Sequence, residues 1–223
     1  MKWSSKNIVI CIGVIVISAV VVYISNVRGS SVKNITEFNC WLNDVNHGCI
    51  KSREINGVRV TVKYLPPNYQ ALKEMESGGD IKGEAKADNL KLRQQKLLTF
   101  LMTIGPTENK EKKKGVMYEG VEGYGDYVQR VMSANFYMDH YLKLYIDGVL
   151  YKPALSLVEN IYELSQDRNF IVVFAAGSNE QLKKGKEFLF VYDDPFFNMG
   201  KLQFDFSGNQ LRDAGTVKVI GTD

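Results

Sequence analysis

Two dipeptides, Asn56-Gly57 and Asp147-Gly148, constrain this chain more than any other feature. Each sits between two short runs that alternate apolar and polar side chains. Ile50-Lys-Ser-Arg-Glu-Ile55 precedes the first and Val58-Arg-Val-Thr-Val-Lys-Tyr64 follows it; Leu142-Lys-Leu-Tyr-Ile146 and Val149-Leu-Tyr-Lys152 flank the second. Asn-Gly and Asp-Gly supply the two positive φ values of a type I′ turn, whose twist matches that of an antiparallel ribbon. The spacing therefore predicts two hairpins, with Val58, Val60, Val62 and Tyr64 along one face of the first.

Other segments extend the same pattern. Leu97 to Ile104, an eight-residue apolar run that includes Thr99 and Thr103 and is closed by Gly105-Pro106, reads as a buried strand, as do Phe170 to Ala176 and Phe188 to Tyr192. Leu202, Phe204 and Phe206 alternate with Gln203 and Asp205, a half-buried strand, and Thr216 to Ile220 reads as a last edge strand. Helical signals are short. Thr36 is placed to cap a helix through Phe38, Trp41, Leu42 and Val45 that stops at Gly48. Pro67 opens a second through Leu72 and Met75, and Asp126 a third through Val131 and Phe136, a segment that reads equally as a strand. Strands do not alternate with long amphipathic helices, so a parallel doubly wound sheet is disfavoured. The expected fold is mainly β or α+β: an antiparallel β-sandwich-like domain over residues 37–223 with two or three short helices, and a sub-boundary at 105–125 left open.

Residues 8–24 read IVICIGVIVISAVVVYI, seventeen positions without a charge. As a helix this spans about 25 Å at 1.5 Å per residue, the short end for a hydrocarbon core. The run is longer than a usual signal-peptide core and no small-x-small cleavage site follows it. Residues 1–28 are thus read as an N-terminal transmembrane signal-anchor, with a cleaved signal peptide as the alternative, and 29–36 as a linker. Lys2 and Lys6 precede the span while Arg28 and Lys33 follow it, a weak bias toward a cytoplasmic N-terminus. On that orientation the domain is outside the cytoplasm, on the periplasmic or cell-surface side.

Net charge is +3, but residues 29–223 carry 25 basic and 25 acidic side chains. A neutral domain has no electrostatic footprint for nucleic acid. The run Asn109-Lys-Glu-Lys-Lys-Lys114 reads as a solvated loop tip. The glycines at 115, 120, 123 and 125 lack the Lys-Ser/Thr of a phosphate loop.

Candidate chemistry is sparse. Cys40 and Cys49 are an even pair in an oxidising compartment, a disulfide candidate set against two separate thiols. His47 and His140 are the only histidines, and no nucleophile–base or CxxC spacing accompanies them. Asp193-Asp194 before Pro195 is the best carboxylate pair; on a strand end it suits a turn, with calcium as the weaker alternative. Tyr192, Phe196 and Phe197 beside it are the partner-contact candidates, set against burial at a strand corner. No catalytic residue, resident metal or cofactor is assigned.

Several segments together resemble a family of uncharacterised envelope lipoproteins common in Bacteroidetes. They are Trp41-Leu-Asn-Asp-Val-Asn-His-Gly48, Asn56-Gly57, Tyr64-Leu-Pro-Pro-Asn-Tyr69, Pro153 with Glu159, Asp193-Asp194-Pro195-Phe196 and Gly200-Lys-Leu-Gln-Phe204. The resemblance covers most of residues 37–207, implies an extracytoplasmic location and brings no activity with it. The chain departs from it in lacking a lipobox cysteine.

The expected function is a membrane-anchored binding or scaffold protein of the bacterial cell envelope that holds a protein partner through sheet edges and loop aromatics. An envelope hydrolase acting on glycan through Asp/Glu is the alternative.

Overall fold

The computed structural model describes residues 31–76, 97–107, 115–159, 165–175 and 184–219. The apolar stretch 8–24 and the lysine run 109–114 lie outside the described residues. Among the described residues no helix is long and apolar enough to cross a membrane.

In chain order the elements are β1 (Ser31–Val32), α1 (Ile35–Asn43), β2 (Ile50–Ile55), β3 (Val58–Leu65), α2 (Pro67–Glu76), β4 (Leu97–Pro106), α3 (Tyr124–Phe136), β5 (Leu142–Ile146), β6 (Val149–Tyr151), β7 (Leu155–Val158), β8 (Arg168–Ala175), β9 (Glu187–Asp193), β10 (Lys201–Ser207), α4 (Gly208–Thr216) and β11 (Lys218–Val219). Short 3₁₀ turns cover Val45–His47, Val116–Tyr118 and Met138–Tyr141. The chain is mainly β. One sheet has five strands in the order β2-β3-β4-β8-β7 and the other has four in the order β10-β9-β5-β6. Every pairing inside these two sheets is antiparallel.

Both turn dipeptides form as their residues require. Asn56 and Gly57 have φ of 53° and 74°, Asp147 and Gly148 of 48° and 83°. Ile55 pairs Val58 and Ile146 pairs Val149, so each hairpin closes around a two-residue turn. The period-two alternation then sorts side chains to two faces. Val58, Val60, Val62 and Tyr64 point inward from β3, Phe100 and Met102 from β4, Phe170, Val172 and Phe174 from β8; all are buried.

The inward faces of the two sheets meet through aromatic rings. Phe100 of β4 lies 5.3 Å from Phe190 of β9 and 5.5 Å from Phe206 of β10, while Phe174 of β8 lies 6.0 Å from Phe190. Tilted and edge-on arrangements at these separations suit the ring quadrupoles and add to the burial itself. Helices close one end of this core: Phe38 and Leu42 of α1, Leu72 of α2, and Leu211 and Ala214 of α4 join the same buried cluster.

Three local expectations are corrected. Asn34, not Thr36, caps α1, its Oδ1 accepting from the Glu37 amide at 2.9 Å. Helix α3 starts at Tyr124 behind Gly123, leaving Asp126 in its first turn. Ser31 and Val32, expected in a linker, pair in parallel with Lys218 and Val219.

Candidate functional site

The outward face of the four-stranded sheet carries a hollow of about 740 Å³. It is built by the second hairpin and the strands beside it. Asp147 sits at a positive φ that Asp tolerates better than most residues. Its Oδ1 accepts from the amides of Lys186 and Glu187, each at 3.0 Å, and its own amide donates to the Glu187 carbonyl at 3.0 Å. The turn is thereby clamped onto the start of β9. The two amides, Glu187 first and Lys186 second, hold the Asp147 carboxyl below the usual carboxylate range.

Register places Tyr145, Leu189 and Asp205 in the lining and Leu150 beside it. Leu150 of β6 lies opposite Tyr145 of β5, which lies opposite Leu189 of β9, which lies opposite Asp205 of β10. An apolar row of three therefore crosses the sheet and reaches the outer strand. Leu150 is 45% exposed and its neighbour Val149 58% exposed, whereas Tyr145 and Leu189 are half-buried. Asp147, Glu187 and Asp205 rim the hollow, and Lys186 is the one basic residue lining it among the described residues. Such a surface buries an apolar ligand segment along the row and selects for positive or hydrogen-bond-donating groups at the rim.

The contact residues expected from sequence lie elsewhere. Tyr192 is fully buried and Phe197 is 8% exposed, so neither forms a surface patch. Phe196 is half-buried, its ring 6.4 Å from Tyr141 and 5.9 Å from Phe197. Burial wins here because the loop between β9 and β10 folds back on itself. Asp194 draws it in: its carboxylate accepts from the amides of Phe196, Phe197 and Met199 and from the Tyr192 hydroxyl, at 2.9 to 3.0 Å. That carboxylate organises a turn, and Asp193 beside it is exposed. Among the described residues no group of three or more His, Cys, Asp or Glu is arranged to hold a metal ion.

Arg130 of α3 fastens the same loop. Its guanidinium donates to the carbonyls of Met117 (3.2 Å), Glu119 (2.6 Å) and Phe196 (3.2 Å) and lies 5.0 Å from the Phe197 ring centroid. Burial pushes its pKa down, while Asp194 and Asp126 pull it back up. This clamp was not foreseen, since nothing in a helix sequence says which carbonyls a long side chain will reach.

Cys40 and Cys49 form no bridge; both thiols are free, the first exposed and the second buried. Burial pushes the Cys49 thiol up to about 12, so it stays protonated, its Sγ 3.7 Å from the His47 carbonyl. The His47 ring stacks on Trp41 at 3.9 Å with Nδ1 2.7 Å from the Trp41 carbonyl, a structural placement. His140 stacks on Tyr137 at 6.0 Å, with its side chain 68% exposed and Nδ1 3.9 Å from Asp139.

A smaller hollow of about 220 Å³ lies on the outward face of the five-stranded sheet, between Arg59, Thr61, Lys63, Thr103 and Asp167. Lys63 Nζ donates to Asn39 and Asn43 Oδ1, each at 2.9 Å. Its pKa is lowered, by burial first and by Lys73 second. Burial likewise raises the pKa of Asp167, against the pull of Arg59.

No family model matches the chain, and no curated protein matches it. The crystal structure of a novel protein of unknown function from Burkholderia pseudomallei K96243 aligns at 11% identity over 82% of this chain and 91% of that one, with a TM-score of 0.36.

Proposed function

We propose that this chain is a membrane-anchored, single-pass binding or scaffold protein of the bacterial cell envelope. In this reading residues 8–24 are the anchor. The β-sandwich-like domain stands on the periplasmic or cell-surface side and holds a protein partner. The observation that carries the binding role is the Leu150–Tyr145–Leu189 row, which leads from a solvent-facing hollow to an outer strand without a charge of its own. Outer strands left apolar and uncharged invite pairing, and soluble proteins ordinarily blunt them with charge. A partner that adds a strand to β6 and lays an adjoining segment across the outward face would bury the row and bring donor groups to Asp147, Glu187 and Asp205.

The glycan hydrolase reading has less support. Its chemistry asks for one carboxyl kept protonated beside another kept ionised. Asp147 is held as a carboxylate by two backbone amides, and Glu187 and Asp205 are both exposed.

The test is capture of crosslinked partners from intact membranes with the full chain. Tyr145→Ala and Leu150→Glu should each lower capture about tenfold or more, the loss expected for a hot-spot side chain. His140→Ala and Asp193→Asn should leave it unchanged. Equal capture by wild type and Leu150→Glu would place the partner elsewhere.

A further inference from the structure

The hollow on the outward face of the five-stranded sheet has opposite charges at its two ends. Register fixes the arrangement: Lys63 of β3 stands opposite Leu101 of β4, Thr61 opposite Thr103, and Arg59 opposite Gly105. The two-residue period puts all six on the face turned away from the core. Asp167 lies at the Gly105 end. A side chain added to Gly105 would run into its carboxylate, so the carboxylate occupies the room that a missing Cβ leaves. Leu101, Ile50 and Pro106 give the hollow apolar walls.

Neither terminal charge is met in kind. Lys63 Nζ donates to two neutral acceptors, Asn39 and Asn43 Oδ1, and an ammonium has a further N–H to give. Among the described residues no carboxylate pairs with it, and the charge that acts on it is another cation, Lys73. The Asp167 carboxylate accepts no hydrogen bond among the described residues. Arg59, which attracts it, gives its Nε to Glu54 Oε1 at 2.6 Å. Burying an ion is costly unless it is paired. The lowered pKa of Lys63 and the raised pKa of Asp167 both express that cost. A ligand with an anion at one end and a cation at the other relieves both.

Hydroxyls lie between the poles. Thr103 Oγ1 gives its hydrogen to Asn169 Oδ1 at 2.8 Å and has lone pairs left to accept. The Thr61 and Ser52 hydroxyls share one hydrogen across 2.7 Å, so that pair keeps one O–H to donate. An acceptor beside a donor matches the N–H and C=O of a peptide unit.

We propose that this hollow binds a short free peptide, its terminal carboxylate on Lys63 and its terminal ammonium on Asp167. The site lies on the other sheet from the Leu150–Tyr145–Leu189 row and stands independently of what that row holds. Leu101 and Gly105 are four positions apart, about 13 Å along the strand. A hydrogen bond of about 3 Å at each end leaves roughly 7 Å, the length of about two extended residues. The volume of about 220 Å³ agrees, being below the roughly 300–1,000 Å³ that holds a drug-sized ligand. A site that reads both free termini rejects the interior of a longer chain.

Calorimetric titration of the full chain in mild detergent with diglycine and triglycine tests this. Wild type should bind at least one of them. Amidating the carboxylate or acetylating the amine should each weaken binding about tenfold or more, the loss expected for a hydrogen bond to a charged group. Lys63→Met should bind free and amidated peptide equally weakly, and Asp167→Asn should no longer distinguish free from acetylated peptide. Asp167→Asn preserves shape and should preserve the circular dichroism spectrum, so it decides the matter even where Lys63→Met loosens α1. Wild type that takes up neither peptide at millimolar concentration would overturn the proposal. So would equal binding of free and capped peptides, or binding that both substitutions leave unchanged.

Discussion

Asp147 and Asp194 hold turns by the same means, a carboxylate accepting from successive backbone amides. Charge-assisted bonds of this kind are about twice as strong as neutral ones. For Asp147 the consequence is a pH dependence with a definite sign. Its folded pKa lies below its ordinary value, so the folded state binds the proton more weakly than the unfolded chain does. The stability this contributes is present above the unfolded pKa of about 4 and is lost as pH falls through the folded value. Asp147→Asn keeps a side chain that tolerates positive φ and removes the ionisation. Urea midpoints measured from pH 5 down to pH 2 should therefore fall less for Asp147→Asn than for wild type. Parallel curves would show that the clamp contributes no linkage. Asp194 was read from sequence as a turn or a calcium ligand, and the turn was legible because its amide donors lie within five positions of it. The burial of Phe197 and Tyr192 was not legible, since it depends on Arg130 reaching across from a distant helix.

At the scale of elements, what could be read early was what is decided locally. The Asn56-Gly57 turn needs only its two residues, and their φ values of 53° and 74° are those of a type I′ turn. Gly57→Val would force a β-branched residue into the left-handed region and should cost about 1–2 kcal/mol. A thermal midpoint equal to that of wild type would contradict that assignment. The strands of β4, β8, β9 and β10 were likewise legible from apolar runs and alternation, to within one or two residues at each end. Helix α4 and the β1–β11 pair were not. Gly208–Thr216 holds two glycines and its N-cap Ser207 makes no side-chain cap bond, so it lacks a start signal. It is held instead by tertiary contacts, with Leu211 and Ala214 buried and Asn68 donating to the carbonyls of Ala214 and Val217. The β1–β11 pair joins Ser31 to Lys218, a partnership no local window contains. The candidate site falls in between: Asp147-Gly148 announced its turn, but the Leu150–Tyr145–Leu189 row exists only once three strands are in register.

For the whole molecule, the aromatic core around Phe100 fixes which faces are left over. Once Tyr64, Phe100, Phe174, Phe190 and Phe206 fill the space between the sheets, the residues between them must face out. On β2 and β10 those outward positions include charges, Glu54 on the first and Lys201 and Asp205 on the second. On β6 and β7 they are apolar, and both open strands come from one stretch, Val149 to Val158. A tether through residues 8–24, as proposed, would confine the domain to a membrane surface, where partners are concentrated. The account's central claim is therefore a folded domain anchored on the far side of the membrane. Cys40 offers a direct reading of it, being exposed where Cys49 is buried. A membrane-impermeant maleimide added to cells with a permeable outer layer should label the full chain in the carbonate-resistant membrane fraction, and Cys40→Ser should remove the label. Labelling that appears only after the inner membrane is broken, or a labelled protein released by carbonate, would contradict the account.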